Sequence, residues 1–227
     1  MINQLNPQKH LTPLQWLVLK KFFADPISAQ FFLTGGTALS GFYYHHRDSV
    51  DLDLFTLNPF DYPKIKERLA KLAADIGGIY QVRTESPPLL TGFIETGDVK
   101  LKVDIVHDIP VHDGEFKVFE SIRVDALENI GSNKITAIYG RLAPKDFIDL
   151  YWILKIDGKL NFEKLMETAK KKDLGLTEFH LGHIFAGIPE NLLFPPTMPS
   201  VSPQEIRSFF VDLGNNLLEK AEKPKFG

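Results

Sequence analysis

The sequence predicts an α+β protein in which an α/β half is followed by an all-helical half. Three observations predict it. Apolar and polar residues alternate with period two over Val50–Phe55 and Val99–Ile105, the mark of half-buried strands. From Asp125 onward the apolar residues recur with a helical period instead. The composition, 44% hydrophobic and 24% charged over 227 residues, is globular, and a chain of this length buries about 70% of its unfolded surface. Two domains follow from the change of pattern, residues 1–124 and residues 125–227.

The elements read in order as follows. Thr12 can cap a helix that Pro13 opens and Pro26 closes, with Leu14, Leu17, Val18 and Phe22 on one face. Phe31–Thr34 reads as a short buried strand broken by Gly35-Gly36, and residues 37–46 suit a helix. Val50–Phe55 is a strand, and Asn58–Pro63 is a loop whose last residue opens the next helix. That helix puts Ile65, Leu69, Leu72, Ala73 and Ile76 on one stripe and stops at Gly77-Gly78. Strands follow at 79–85, 90–96 and 99–105, the last two joined by a Gly97-Asp98 turn, with short ones near 116–119 and 122–124. In the 99–105 run Val99, Leu101, Val103 and Ile105 take one face, and Lys100, Lys102 and Asp104 the other. The helical half divides into 125–141, 144–156, 161–172, 177–187 and 203–222. The Lys170–Lys172 run reads as a solvated helix end.

Charge and cysteine count narrow the function. Lys+Arg 26 against Asp+Glu 29 gives a net charge of −3, which argues against a protein coated for duplex DNA while leaving room for a local basic groove. With no cysteine there are no disulfides, iron–sulfur clusters, thiolate zinc sites or cysteine nucleophile. The opening residues 1–7 are polar and no apolar run approaches ~18 residues, so a soluble, cytoplasmic protein without a membrane partner is expected.

The chemistry-bearing residues lie mainly between positions 33 and 53. A strand ends in Leu33-Thr34-Gly35-Gly36-Thr37, and glycines there let backbone N–H groups approach a phosphate at the start of a helix. This is not a P-loop, because the G-x-x-x-x-G-K-[ST] spacing and its lysine are missing. Asp51 and Asp53, two apart on a strand, project from the same face. Two carboxylates ~4 Å apart repel by about 4 kcal/mol at an effective dielectric of ~20. A divalent cation relieves that repulsion, and oxygen-only ligands select Mg²⁺ or Mn²⁺; the alternative is that both aspartates coat an exposed strand face. Arg47 and Ser49 add a phosphate-pairing fork and a hydroxyl, and Asp104 could add a third carboxylate. Lys134, on a helix of the second half, could reach a triphosphate. Arg47 as a surface ion-pair partner, Asp104 as an exposed neighbour of Lys102, and Lys134 as a solvated lysine remain the simpler alternatives. Rival chemistries lack their patterns: His45-His46 face different ways, His180 and His183 lack H-E-x-x-H, and no serine stands in G-x-S-x-G.

Together these motifs resemble a known family. Leu33-Thr34-Gly35-Gly36-Thr37-Ala38-Leu39, then Arg47-x-Ser49-x-Asp51-Leu52-Asp53-Leu54-Phe55, is similar to the nucleotidyltransferase-like AbiEii/AbiGii toxin family. Lys134-Ile135-x-Ala137-x-x-x-Arg141 and Lys145-Asp146-x-x-Asp149-Leu150-Tyr151 match that family's later segment in the right order. The resemblance implies a nucleotidyltransferase fold, a mixed sheet flanked by helices, with the helical domain closing the active-site cleft. It implies that Gly35, Gly36 and Thr37 cradle the triphosphate, that Asp51 and Asp53 hold metal beside Arg47 and Ser49, and that Lys134 contacts nucleotide phosphates. Asp146 falls on the second catalytic acid, with Asp149 as its rival or as a residue that orients Arg141, and Asp104 on the superfamily's third metal carboxylate. The implied reaction moves a nucleotidyl group from an NTP to an acceptor hydroxyl with Mg²⁺ or Mn²⁺, one ion bridging phosphates and a second activating the acceptor. The acceptor is tRNA, a protein or a small molecule, and an antitoxin protein is the implied partner. A non-catalytic module that binds nucleotide or protein on the same fold is the competing class.

Overall fold

The structure, a computed structural model, describes residues 7–222. The polar opening segment, residues 1–6, on which the expectation of no leader rests, lies outside them. The chain divides into two compact units, one ending at Ile130 and one starting at Gly131.

The first unit begins with α1 (Pro7–His10) and α2 (Pro13–Ala24). Thr12 caps α2 in a full capping box: its hydroxyl accepts from Gln15 N, and Gln15 Oε1 accepts from Thr12 N. Leu17, expected on the buried face, is exposed, and Gln15 is buried in its stead. A 3-10 turn at Pro26–Gln30 leads into β1 (Phe31–Thr34), followed by α3 (Gly35–Ala38) and a π-helical turn over Leu39–Tyr44. The helix therefore starts at Gly35, two residues ahead of expectation. Gly35 makes this possible with φ +70, a backbone conformation that residues with a Cβ avoid.

β2 (Leu52–Thr56) and α4 (Tyr62–Ala74), capped by Asp61, come next. β3 (Ile79–Ser86), β4 (Leu89–Thr96) and β5 (Val99–His107) form a meander, and β6 (Lys117–Phe119) and β7 (Ile122–Val124) a short hairpin. The seven strands make one mixed sheet in the order β3-β4-β5-β2-β1-β7-β6. β1 runs antiparallel to β2 and parallel to β7, while β2 runs parallel to β5. Leu52, Leu54, Leu101, Val103 and Ile105 bury one sheet face, as their alternation requires; Val99, at the strand's start, is exposed. Residues on the other face meet along a register that pairs Thr91 with Asp104, Asp104 with Asp53, and Asp53 with Thr34.

α5 (Leu127–Arg141) spans the division between the units. The sequence places that division ahead of the helix, at 124/125, but the helix start is bonded to the sheet. Asp125 N donates to Leu33 O, and Asn129 Nδ2 donates to the Asp125 carboxylate. The second unit continues with α6 (Pro144–Tyr151), a π-helical turn over Trp152–Asp157, α7 (Phe162–Lys172), α8 (Glu178–Ala186) and α9 (Pro203–Glu222). Phe147, Phe185 and Phe210 form its aromatic core, with ring centroids 5.0–6.2 Å apart. α8 and α9 cross at Gly182 and Gly214, where a Cβ on Gly214 would strike the Ala186 nitrogen and the Gly182 carbonyl. No helix among the described residues is long and apolar enough to cross a membrane.

Candidate active site

The end of β1 and the start of β2 bring the predicted cluster of the first unit together. Gly35 lies so close to Asp53 that a Cβ there would collide with Asp53 Oδ2, and a Cβ on Gly36 would collide with Arg47 Nη2 and approach Ser49 Oγ. The two glycines thus admit a carboxylate on one side and a guanidinium on the other. Thr37 is fully buried; its hydroxyl donates to the Asp51 carbonyl oxygen and lies 2.9 Å from Ser49 Oγ. Its side chain braces the turn, so what it offers a phosphate is its backbone N–H. Arg47, also buried, donates from Nη1 to Asp48 O at 2.8 Å.

Asp51 sits one residue ahead of β2, half-buried, and its carboxylate accepts no hydrogen bond among the described residues. Asp53 and Asp104 are direct neighbours on the parallel strands β2 and β5. Both Asp104 oxygens are engaged: Thr91 Oγ1 donates to Oδ1 at 2.7 Å, and Lys102 Nζ to Oδ2 at 2.6 Å. Burial works to lower the Lys102 pKa, but the Asp104 hydrogen bond and the charges of Asp104, Asp51 and Asp53 outweigh it and hold it above the ordinary lysine value. Lys102 therefore feels all three carboxylates. Among the described residues no three His, Asp or Glu side chains are arranged to hold a metal ion. Asp51 and Asp53 are the pair that offers hard oxygen donors.

Sequence reasoning missed several residues that position this cluster. Gln15 Nε2 donates to Ser49 O at 2.9 Å, tying α2 to the segment before β2. Its signal was a polar residue inside an otherwise apolar helix face. Thr34 Oγ1 donates to the fully buried Asp125 at 2.5 Å, His112 Nε2 lies 2.8 Å from the same carboxylate, and Tyr43 donates to Asp125 O at 2.6 Å. Burial, followed by the charges of Asp125 and Glu128, pushes the Tyr43 hydroxyl far up. This buried network fixes the residue immediately before Gly35. Tyr80, whose ring lies on Gly92, is pushed up to about 12 by burial and then by the charges of Asp104 and Glu85.

In the second unit Lys134 and Asp146 do meet. Lys134 Nζ lies 2.8 Å from Asp146 Oδ1 and 2.6 Å from Asp149 Oδ2, and both carboxylates are fully buried. Arg141 donates from Nε and Nη2 to Asp146 at 2.8 and 3.1 Å. The residue that orients Arg141 is therefore Asp146, not Asp149, because the turn between α5 and α6 brings positions 141 and 146 together. Lys134 is no solvated lysine. A cleft of about 570 Å³ between α2, the 3-10 turn and α4 lies at the opposite end of β1 from Gly35 and contains none of the predicted residues. Cavity size does not mark the site here.

A family model described as the nucleotidyl transferase AbiEii toxin of type IV TA systems matches residues 17–214. The chain belongs to the AbiEii family. Two solved Helicobacter pylori structures share the nucleotidyltransferase fold with this AbiEii chain. One, JHP933, is 18% identical with TM-score 0.57, covering 96% of this chain and 94% of that one. The other, a candidate nucleotidyltransferase, is 19% identical with TM-score 0.58, covering 98% of each chain. No curated protein matches the chain significantly. Gly35, Gly36, Arg47, Ser49, Asp51, Asp53, Lys134 and Asp146 all lie inside the segment that the AbiEii model matches.

Proposed function

We propose that this AbiEii protein is a metal-dependent nucleotidyltransferase that moves a nucleotidyl group from an NTP to an acceptor hydroxyl. The observation that carries the reading is the pair of glycines with Asp53 packed on one and Arg47 on the other. A turn of that shape sets phosphate-binding N–H groups and a cationic fork beside a metal-binding carboxylate. Asp51 and Asp53 would hold Mg²⁺ or Mn²⁺, which neutralises charge on the phosphate oxygens when bound. Their hard oxygen donors, and the unengaged Asp51 carboxylate, fit that ion.

The remaining residues bind and position. Gly36 and Thr37 present backbone N–H groups to the triphosphate, and Arg47 pairs with its oxygens. Ser49 and Thr37 lock Asp51 in place. The acceptor oxygen bonds to the α-phosphorus, the bond to the bridging oxygen breaks, and pyrophosphate leaves with the electron pair; the hydroxyl proton passes to solvent. Lys134 and Asp146 enter as a pair that orders the helical unit, since Lys134 is held by two buried carboxylates. The acceptor is tRNA, a protein or a small molecule in the cytoplasm, and the activity is toxic unless an antitoxin protein counters it, as the family description states for its type.

The test is incubation with Mg²⁺, each α-labelled NTP, and total RNA, total protein or small-molecule acceptors in separate arms. Label on one acceptor class supports the reading. Nucleotide binding with no transfer in any arm supports a binding module instead.

A further inference from the structure

Lys102 and Asp104 stand two apart on β5, on the face that carries Asp53 in the neighbouring strand. A carboxylate that bridges two metal ions needs oxygens turned to both. Asp104 has none to spare: Thr91 from β4 takes Oδ1 and the Lys102 ammonium takes Oδ2. Thr91 and Asp104 are register partners, so the first of these bonds is fixed by the sheet itself. Lys102 is tethered too, because its side chain leaves the same strand face and stays only 35% exposed. Three carboxylates against one ammonium leave two negative charges, the charge of one divalent ion. Arg47, seated on Gly36, is left for the triphosphate.

We propose that the Lys102 ammonium stands in for the acceptor-side cation, so that the site holds one divalent ion, on Asp51 and Asp53, rather than two. The inference rests on the metal-dependent reading above and departs from the expectation that Asp104 is a third metal ligand. Lys102 neutralises Asp104 without needing a second ion from solution. The occupancy of the site then depends on one metal concentration, not on two.

Counting bound Mn²⁺ by electron paramagnetic resonance, without nucleotide, tests it on the full chain. Wild type binds one ion, D53N none, and K102M gains a second, because Asp104 loses its tethered partner. K102R keeps the charge and binds one ion, which separates loss of charge from a disturbed strand; thermal melts confirm that each variant is folded. Two ions on wild type, or one on folded K102M, overturn the inference while leaving the metal reading intact. No ion on wild type or K102M overturns the metal reading, and the inference with it.

Discussion

Two clusters of charged side chains, one in each unit, look alike in sequence and differ in kind. On the sheet, Asp51, Asp53 and Asp104 face Lys102, and Lys102 and Asp104 keep 35% and 15% of their side chains exposed. In the helical unit, Asp146 and Asp149 are fully buried and are matched by Lys134 and Arg141. The first cluster has more acid than base and is open to water, so it can exchange a cation and an anion with solvent at little cost. The second is balanced and its carboxylates are sealed, so removing any member leaves a charge without a partner. Excess charge at an accessible edge marks a site; balanced charge in the interior marks a fold.

The comparison breaks first at Asp146. D146N is expected to destabilise the protein by about 3–5 kcal/mol, because Lys134 and Arg141 each lose a buried partner. Chemical denaturation measures it. A stable D146N that cannot transfer nucleotide would instead move Asp146 into the reacting site. G35A is expected to cost roughly 1–3 kcal/mol, through the positive φ and the clash with Asp53, and to lower transfer by displacing that carboxylate. A G35A protein with normal kinetics would separate Asp53 from the turn.

The smallest effect sharpens the sealed side. Tyr151 is fully buried and donates to Glu205 at 2.7 Å; burial, then that bond and charge, push its hydroxyl up to about 12. A raised folded-state value contributes stability that is complete below the ordinary value of 10 and is lost as pH rises through 12. Y151F should therefore cost about 1 kcal/mol at neutral pH and flatten the alkaline loss of stability between 10 and 12. Denaturation curves at pH 8 and at pH 11 check both halves.

Local chemistry was legible and long-range pairing was not. The Thr12 cap and Pro13 start of α2, and the span 203–222 of α9, follow from propensity and period, and the structure has them where the sequence puts them. The side-by-side placement of Asp53 and Asp104 needs β2 and β5 to pair in parallel, and no local pattern encodes that partner choice. Lys102 read as one of several polar residues on a strand face; only the register with Thr91 shows its carboxylate partner to be fully engaged. Gln15 was hidden because a helix face averages over its members, and one polar residue among apolar ones carries little weight. Arg141 was assigned to the wrong aspartate because helical spacing says nothing about a bond across the turn between two helices.

The central claim is that Asp53 acts in transfer and not in folding. D53N, assayed beside wild type with Mg²⁺, α-labelled NTP and the acceptor class that wild type labels, tests it most directly. The account predicts that transfer falls by at least about 100-fold while stability stays within about 1 kcal/mol of wild type. A folded D53N that transfers label at the wild-type rate would contradict it.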